Sequence, residues 1–209
     1  NTTISGIEQA DVCLLVGANP RFEAPLINAR LRKAWLKGGL KIFNIGLESD
    51  LTYDYEQLGN DPRLLADIAD GRHPLSQILA GAKWPMMIIG PAAMARPDGG
   101  EIFTAAKLLA DRCGLIKEGW NGFDLLHHAA GRVGALDVGF VPDAGGKATA
   151  EIFESCRRGD TQLVYLLGAD EFDMNLLADA FVVYQGHHGD DGAHRADVIL
   201  PGAAYTEKD

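Results

Sequence analysis

The chain has 209 residues, 47% hydrophobic and 23% charged, which suffices for one sizeable core or two small ones and argues against disorder. Its formal net charge of −10 excludes a nucleic-acid binder, because phosphate recognition needs a basic surface. The most basic stretch, Arg30, Arg32, Lys33 and Lys37, reads as the solvated face of a helix.

No apolar run reaches the roughly 18 residues that a bilayer span needs, and the start carries no signal-peptide pattern. Cys13, Cys113 and Cys156 are scattered and form neither a CxxC nor a metal spacing, which fits a reducing compartment. The start at Asn1, without methionine, and the stop at Asp209 both read as cuts from a longer polypeptide.

In chain order, Asp11–Val16 is an apolar run that ends in Gly17-Ala-Asn-Pro20, a buried strand entering a turn. A helix is expected from Glu23 to Lys37, with Pro25 in its first turn and Gly38-Gly39 ending it. Leu40–Ile45 gives the next strand, so strand, helix and strand form a right-handed βαβ unit. Leu47–Asn60 has no clean period and reads as a long loop.

Short helices follow from Asp61 to Asp70, with Asp61 as N-cap, and from His73 to Ala80. Pro85–Ile89 is a third strand and Glu101–Cys113 a further helix. Phe123–Leu136 is expected to be helical, weakened by Gly131 and Gly134, and Lys147–Arg158 helical again. Leu163–Leu167 is a fourth strand ending in Gly168-Ala-Asp170. A short helix near Asn175–Asp179 then precedes a fifth strand at Phe181–Tyr184. This alternation predicts a parallel, doubly wound, Rossmann-like α/β fold, divided into half-lobes of about 1–140 and 141–209.

The chemistry is sparse. No GxGxxG occurs, and Gly145-Gly-Lys-Ala-Thr149 lacks both the first glycine and the Ser/Thr of a P-loop. The segments LLVGAN (14–19) and YLLGAD (165–170) echo each other as strand, Gly, Ala, Asx. Such turns let a backbone approach a ligand closely, or merely make a tight exit from a strand. Phe181–Asp209 places a glycine- and histidine-rich loop between two apolar runs, at the kind of strand end where ligands are met. His187, His188 and His194 near Asp190, Asp191 and Asp197 raise a metal site, but adjacent histidines on an extended segment diverge and the spacing matches no common site. His127-His128 divides between core and surface. No residue reads as catalytic and none as a metal ligand.

GANPRFEAPLINARLRKAWL (17–36), DLTYDYEQLG (50–59) and YQGHHGDDGAHRADVILPGAAYTEKD (184–209) closely resemble the large iron–sulfur subunit of respiratory NADH:quinone oxidoreductase (NADH dehydrogenase, complex I). The resemblance covers essentially the whole chain. The matching part of that subunit is similar to molybdopterin oxidoreductases, in which strand-Gly-x-Asn-Pro and an ADVVLP segment help hold a pterin guanine dinucleotide. Gly17, Asn19 and Pro20 match the first motif and Ala196–Pro201 the second, with Gly168 and Asp170 as the echo. The cysteine-rich iron–sulfur segments of the family are missing from this sequence, and no cysteine stands where a molybdenum ligand would.

The resemblance therefore implies a scaffold domain with no cofactor of its own. Its vestigial cleft would lie at Gly17, Asn19, Gly168, Asp170, His187 and His188. It further implies iron–sulfur clusters elsewhere in the full-length subunit, no molybdopterin, and other peripheral-arm subunits of complex I as partners. The expected location is peripheral, on the cytoplasmic face of a bacterial inner membrane or the matrix face of a mitochondrial one, with no direct membrane span. The alternatives are a domain that retains its pterin guanine dinucleotide and a small-ligand sensor using the old cleft.

Overall fold

A computed structural model describes residues 2–129 and 131–207, which divide into two compact units, 1–134 and 135–209.

The first unit is built on a five-stranded parallel sheet. From edge to edge its strands are β3 (Glu56–Gly59), β2 (Lys41–Ile45), β1 (Val12–Val16), β4 (Pro85–Ile89) and β7 (Phe123–Leu125). β1 and β4 are buried along their whole length, because other elements cover both faces of the sheet. On one face Leu14, Phe43, Met87 and Ile89 pack against α3 (Leu64–Ala69), α4 (Leu75–Gly81) and α6 (Gly99–Arg112). On the other, Cys13, Leu15, Ile42 and Ile88 meet Leu31 and Ala34 of α2 (Pro25–Leu36), with Leu51, Tyr53 and Trp120. A short helix, α1 (Pro20–Glu23), precedes α2, and a break at Ala24 starts the expected helix at Pro25 rather than at Glu23. Pro25 removes an N–H there and opens a new first turn.

Other expectations fail in this unit. Leu47–Asn60 is not loop throughout: its last part forms β3 on the outer edge of β2, joined also by Asn44 Nδ2 donating to Gln57 Oε1 at 2.7 Å. Phe123–Leu136 is not a helix. Its start is strand β7, with Met87 opposite Phe123 and Ile89 opposite Leu125, and among its described residues the helical part begins at Arg132, in α7 (Arg132–Asp137). The register to β4 overrides the helical spacing, since Phe123 and Leu125 thereby reach the larger core.

Asp61 starts a turn rather than capping a helix directly. Its carboxylate accepts from the Arg63 amide at 3.0 Å, and α3 begins at Leu64. A short helix, α5 (Pro91–Met94), leads into α6, and a hairpin of β5 (Ile116–Lys117) with β6 (Trp120–Asn121) follows it. The basic helix face is solvated as its sequence suggests, and Arg30, Lys33 and Lys37 all converge on Glu8 from it.

In the second unit, β8 (Leu163–Leu167), β9 (Phe181–Gly186) and β10 (Val198–Pro201) form a parallel sheet in the order β10-β9-β8. α8 (Thr149–Arg157), a 3-10 turn at Met174–Leu177 and α9 (Asp191–Arg195) cover one face. There Cys156, Leu166, Leu177, Val182 and Tyr184 are buried together. α9 falls in a glycine- and histidine-rich stretch whose composition predicts only loop. The residues after the Gly145-Gly146 turn feed α8, and Lys147 Nζ donates to the buried Ser155 hydroxyl at 2.7 Å, so this lysine is a structural tie.

Candidate functional site

The cleft of the first unit forms where the order of strands reverses, beyond the C-terminal ends of β1 and β4. Gly17 leaves β1 with φ +54, the left-handed region that glycine enters without a Cβ clash, and its amide donates to Ile45 O at 2.8 Å. Ala93 lies against it, so that a Cβ on Gly17 would come within 2.8 Å of the Ala93 Cβ. Gly46 and Gly90, which follow β2 and β4, pack against Gly17, so the three strand ends meet in a glycine seam. Beside it is a cavity of about 450 Å³ lined by Gly17, Asn19, Glu23, Gly46, Ser49 and Arg96 among others.

Asn19 Oδ1 is buried without a hydrogen-bond partner, an acceptor in want of a donor. The charged side chains on the wall are already engaged. Glu23 takes the Asn19 amide at 2.8 Å, and the Arg96 guanidinium forks onto Asp98 at 2.7 and 2.8 Å. The residues therefore do not fit a pyrophosphate. Anion sites at strand ends offer free amides and a free cation; here a carboxylate occupies the amide and another carboxylate holds the arginine.

The second unit repeats the turn geometry. Gly168 leaves β8 with φ +58, and its amide donates to Gln185 O of β9 at 2.8 Å, as Gly17 does to β2. The surroundings differ. A Cβ on Gly168 would meet open space, and the buried group at this end of the sheet is Tyr184. Its hydroxyl lies 3.3 Å from Asp170 Oδ2 and 3.3 Å from Asp190 Oδ2. Its ring covers two glycines: a Cβ on Gly186 would fall 2.1 Å from the tyrosine oxygen, and one on Gly192 would fall 2.6 Å from the ring. A phenol thus fills the space beside Gly186 and Gly192 at the end of β9, while the turn at Gly168 stays open. Desolvation and the facing Asp190 carboxylate raise the pKa of Asp170, and desolvation with the same two carboxylates raises that of Tyr184. One hydroxyl proton can serve only one of two carboxylates at a time, so the second is stabilised by protonation.

His187 and His188 stand outside this cluster. Both are exposed, with their rings edge-on at 4.6 Å and their Nδ1 atoms in contact. The His194 amide donates to Asp190 O at 3.0 Å in the first turn of α9. Asp197 accepts the Val182 amide at 2.7 Å and fixes β10 to β9. Among the described residues no three His, Cys, Asp or Glu side chains converge as metal ligands. The cysteines are buried, and desolvation raises the thiol pKa of Cys13 and Cys113.

Of the six cleft candidates, the structure brings Gly17 and Asn19 together in one cavity and Asp170 into the tyrosine cluster. Gly168 stands at an open turn beside that cluster, and His187 and His188 lie apart from it. Tyr184 and Glu23 are not legible as site residues in the sequence. Tyr184 looks there like any strand core residue, and only the flanking Gly186 and Gly192 signal the room its ring takes.

The sequence matches the molybdopterin oxidoreductase family over residues 1–209. It is 45% identical over 208 residues to the NADH-ubiquinone oxidoreductase 75 kDa subunit of Reclinomonas americana, covering all of this chain and 30% of that protein. It is 44% identical over 210 residues to the mitochondrial NADH dehydrogenase [ubiquinone] iron-sulfur protein 1 of Solanum tuberosum, covering 100% of this chain and 27% of that one. To a subunit of the NADH-quinone oxidoreductase of Rickettsia bellii the identity is 42% over 208 residues, with 100% and 29% covered. The chain spans less than a third of the length of these relatives.

Proposed function

Because the chain belongs to the molybdopterin oxidoreductase family, we propose that it is a scaffold domain of a complex I iron–sulfur subunit that has given up the family's cofactor. The observation that carries this reading is Tyr184, whose ring and hydroxyl occupy one strand-end space while Glu23 and Asp98 neutralise the donors at the other. A domain without an open anion site serves the complex by packing. Electrons from NADH would pass to quinone through iron–sulfur clusters outside these residues, and the domain would brace the peripheral arm against neighbouring subunits. The names of the relatives support that assembly. The proposed position is peripheral, on the cytoplasmic or matrix side; no helix among the described residues is long and apolar enough to cross a membrane.

The test is molybdenum and pterin analysis of the purified full-length subunit. Neither is expected; a stoichiometric amount of either overturns the reading. A second reading, a domain that still binds a guanine-bearing pterin, is favoured by one feature, the unpartnered Asn19 Oδ1. Calorimetric titration with that dinucleotide separates the two. Binding that disappears in Asn19→Ala establishes the second, and no binding retires it.

A further inference from the structure

Helices cover only one face of the second unit's sheet, and there only β8 and β9, since Ile199 of β10 on that face is 56% exposed. On the other, Leu163, Tyr165, Leu167, Phe181, Val198 and Leu200 stand in register across three strands and are 39–72% exposed. Parallel sheets bury both faces, so this surface lacks its layer.

β8 also has an unpaired edge. Gly168 N and Gln162 O bond to β9. By the alternation of a parallel ladder, the backbone groups of Leu163, Tyr165 and Leu167 point the other way.

The first unit shows how such a sheet is finished. There β1, β2 and β3 step outward with their connections on one face; the chain then returns through α3 and α4 over the opposite face, and β4 pairs with the free edge of β1. β8, β9 and β10 repeat the first three steps, including the left-handed glycine after the first strand and the amide bond it donates to the second. A right-handed return from β10 to the free edge of β8 runs over the bare face. The relatives are more than three times as long, so chain outside the matched stretch exists in them for such a return.

We infer that the polypeptide following residue 209 covers the bare face of β8, β9 and β10 with a helix and pairs a strand with the free edge of β8. This apolar face is then an internal seam of one subunit rather than a dock for another.

Hydrogen exchange on the full-length subunit, alone and in the assembled oxidoreductase, tests this. The amides of Tyr165 and Leu167 are expected to exchange about a hundredfold or more slowly than the exposed-loop amides, already in the isolated subunit. Protection that arises only on assembly assigns the face to a partner, and fast exchange in both states leaves the face open; either result overturns the inference. Tyr165→Pro gives an independent reading, since a proline on an open edge is tolerated and one in a paired strand is not. A clear drop in the subunit's denaturation midpoint is expected, and an unchanged midpoint argues for an open edge. Finally, shortening the subunit at residue 209 should abolish the protection. Retention of protection in the shortened protein assigns the cover to another part of the chain and overturns the inference.

Discussion

Gly90 meets Gly17 so closely that a Cβ on Gly90 would lie 2.1 Å from the Gly17 carbonyl oxygen. The contact joins the ends of β4 and β1, where the Gly90 amide also donates to Val16 O at 2.8 Å. It closes the strand ends beside the cleft through backbone alone.

Gly90→Ala should therefore be among the most damaging single-methyl changes in the chain. Gly90 has φ −85, so the cost comes from overlap with backbone that cannot move aside, not from a forbidden conformation. A loss of about 3 kcal/mol or more in urea denaturation is expected. Gly100→Ala in α6, where an added Cβ meets nothing within 4 Å, is the control and should gain about 0.5–1 kcal/mol. Similar outcomes for the two would remove the close approach as the reason for glycine at 90.

Asp124 on β7 gives the first unit a pH dependence. Its Oδ1 accepts the Thr2 amide at 3.1 Å, whereas Oδ2 is buried without a partner, and burial lifts its pKa to about 6. A carboxyl whose pKa rises on folding favours the folded state while protonated. Stability should be highest near pH 4 and fall through pH 6, by up to about 3 kcal/mol for a shift of this size. Asp124→Asn should flatten that slope and melt higher than the parent at pH 7. A slope unchanged by the substitution would place its origin elsewhere.

Glu8 acts in the opposite direction. Lys37, Lys33 and Arg30 hold its carboxylate, with Lys37 the strongest influence, and lower its pKa to about 2. Its contribution is present above the ordinary glutamate range and is lost as pH falls toward 2. Glu8→Gln should lower the melting temperature at pH 7, with the gap closing at pH 2 and narrowing in molar salt. A gap that persists at pH 2 would mean the residue acts through packing rather than charge.

The sequence reveals the inner strands because burial on both faces leaves unbroken apolar runs, as in Val12–Val16 and Pro85–Ile89. It hides the edges. β3 and β7 are four and three residues long, and their pairing comes from β2 and β4 rather than from any pattern of their own. The glycine turns at Gly17 and Gly168 are legible for the same reason as the strands, being the residues that end an apolar run. What surrounds them is not. Glu8 meets Arg30 across 22 residues and Asp170 meets Tyr184 across 14, distances over which no local period operates. The same holds for His187 and His188, which draw the eye as ligands and stand exposed.

The tyrosine cluster allows the two roles of Tyr184 to be separated. Tyr184→Phe keeps the ring over Gly186 and Gly192 but leaves Asp170 and Asp190 facing each other without the hydroxyl. Repulsion between the carboxylates then grows as they ionise, so α9 should open more readily as pH rises, to a greater extent than in the parent. In the parent the sign is the same, because Asp170, with its raised pKa, favours the closed arrangement when protonated, and the effect is smaller because the Tyr184 hydroxyl donates into the pair. Amide exchange in residues 190–196, followed from pH 4 to pH 8 and corrected for intrinsic rates, measures this. Asp170→Asn should suppress the pH dependence in both backgrounds, since one neutral amide removes the charge pair. If exchange in α9 has the same pH profile in all four proteins, the carboxylates do not control this loop and only the ring fills the cleft.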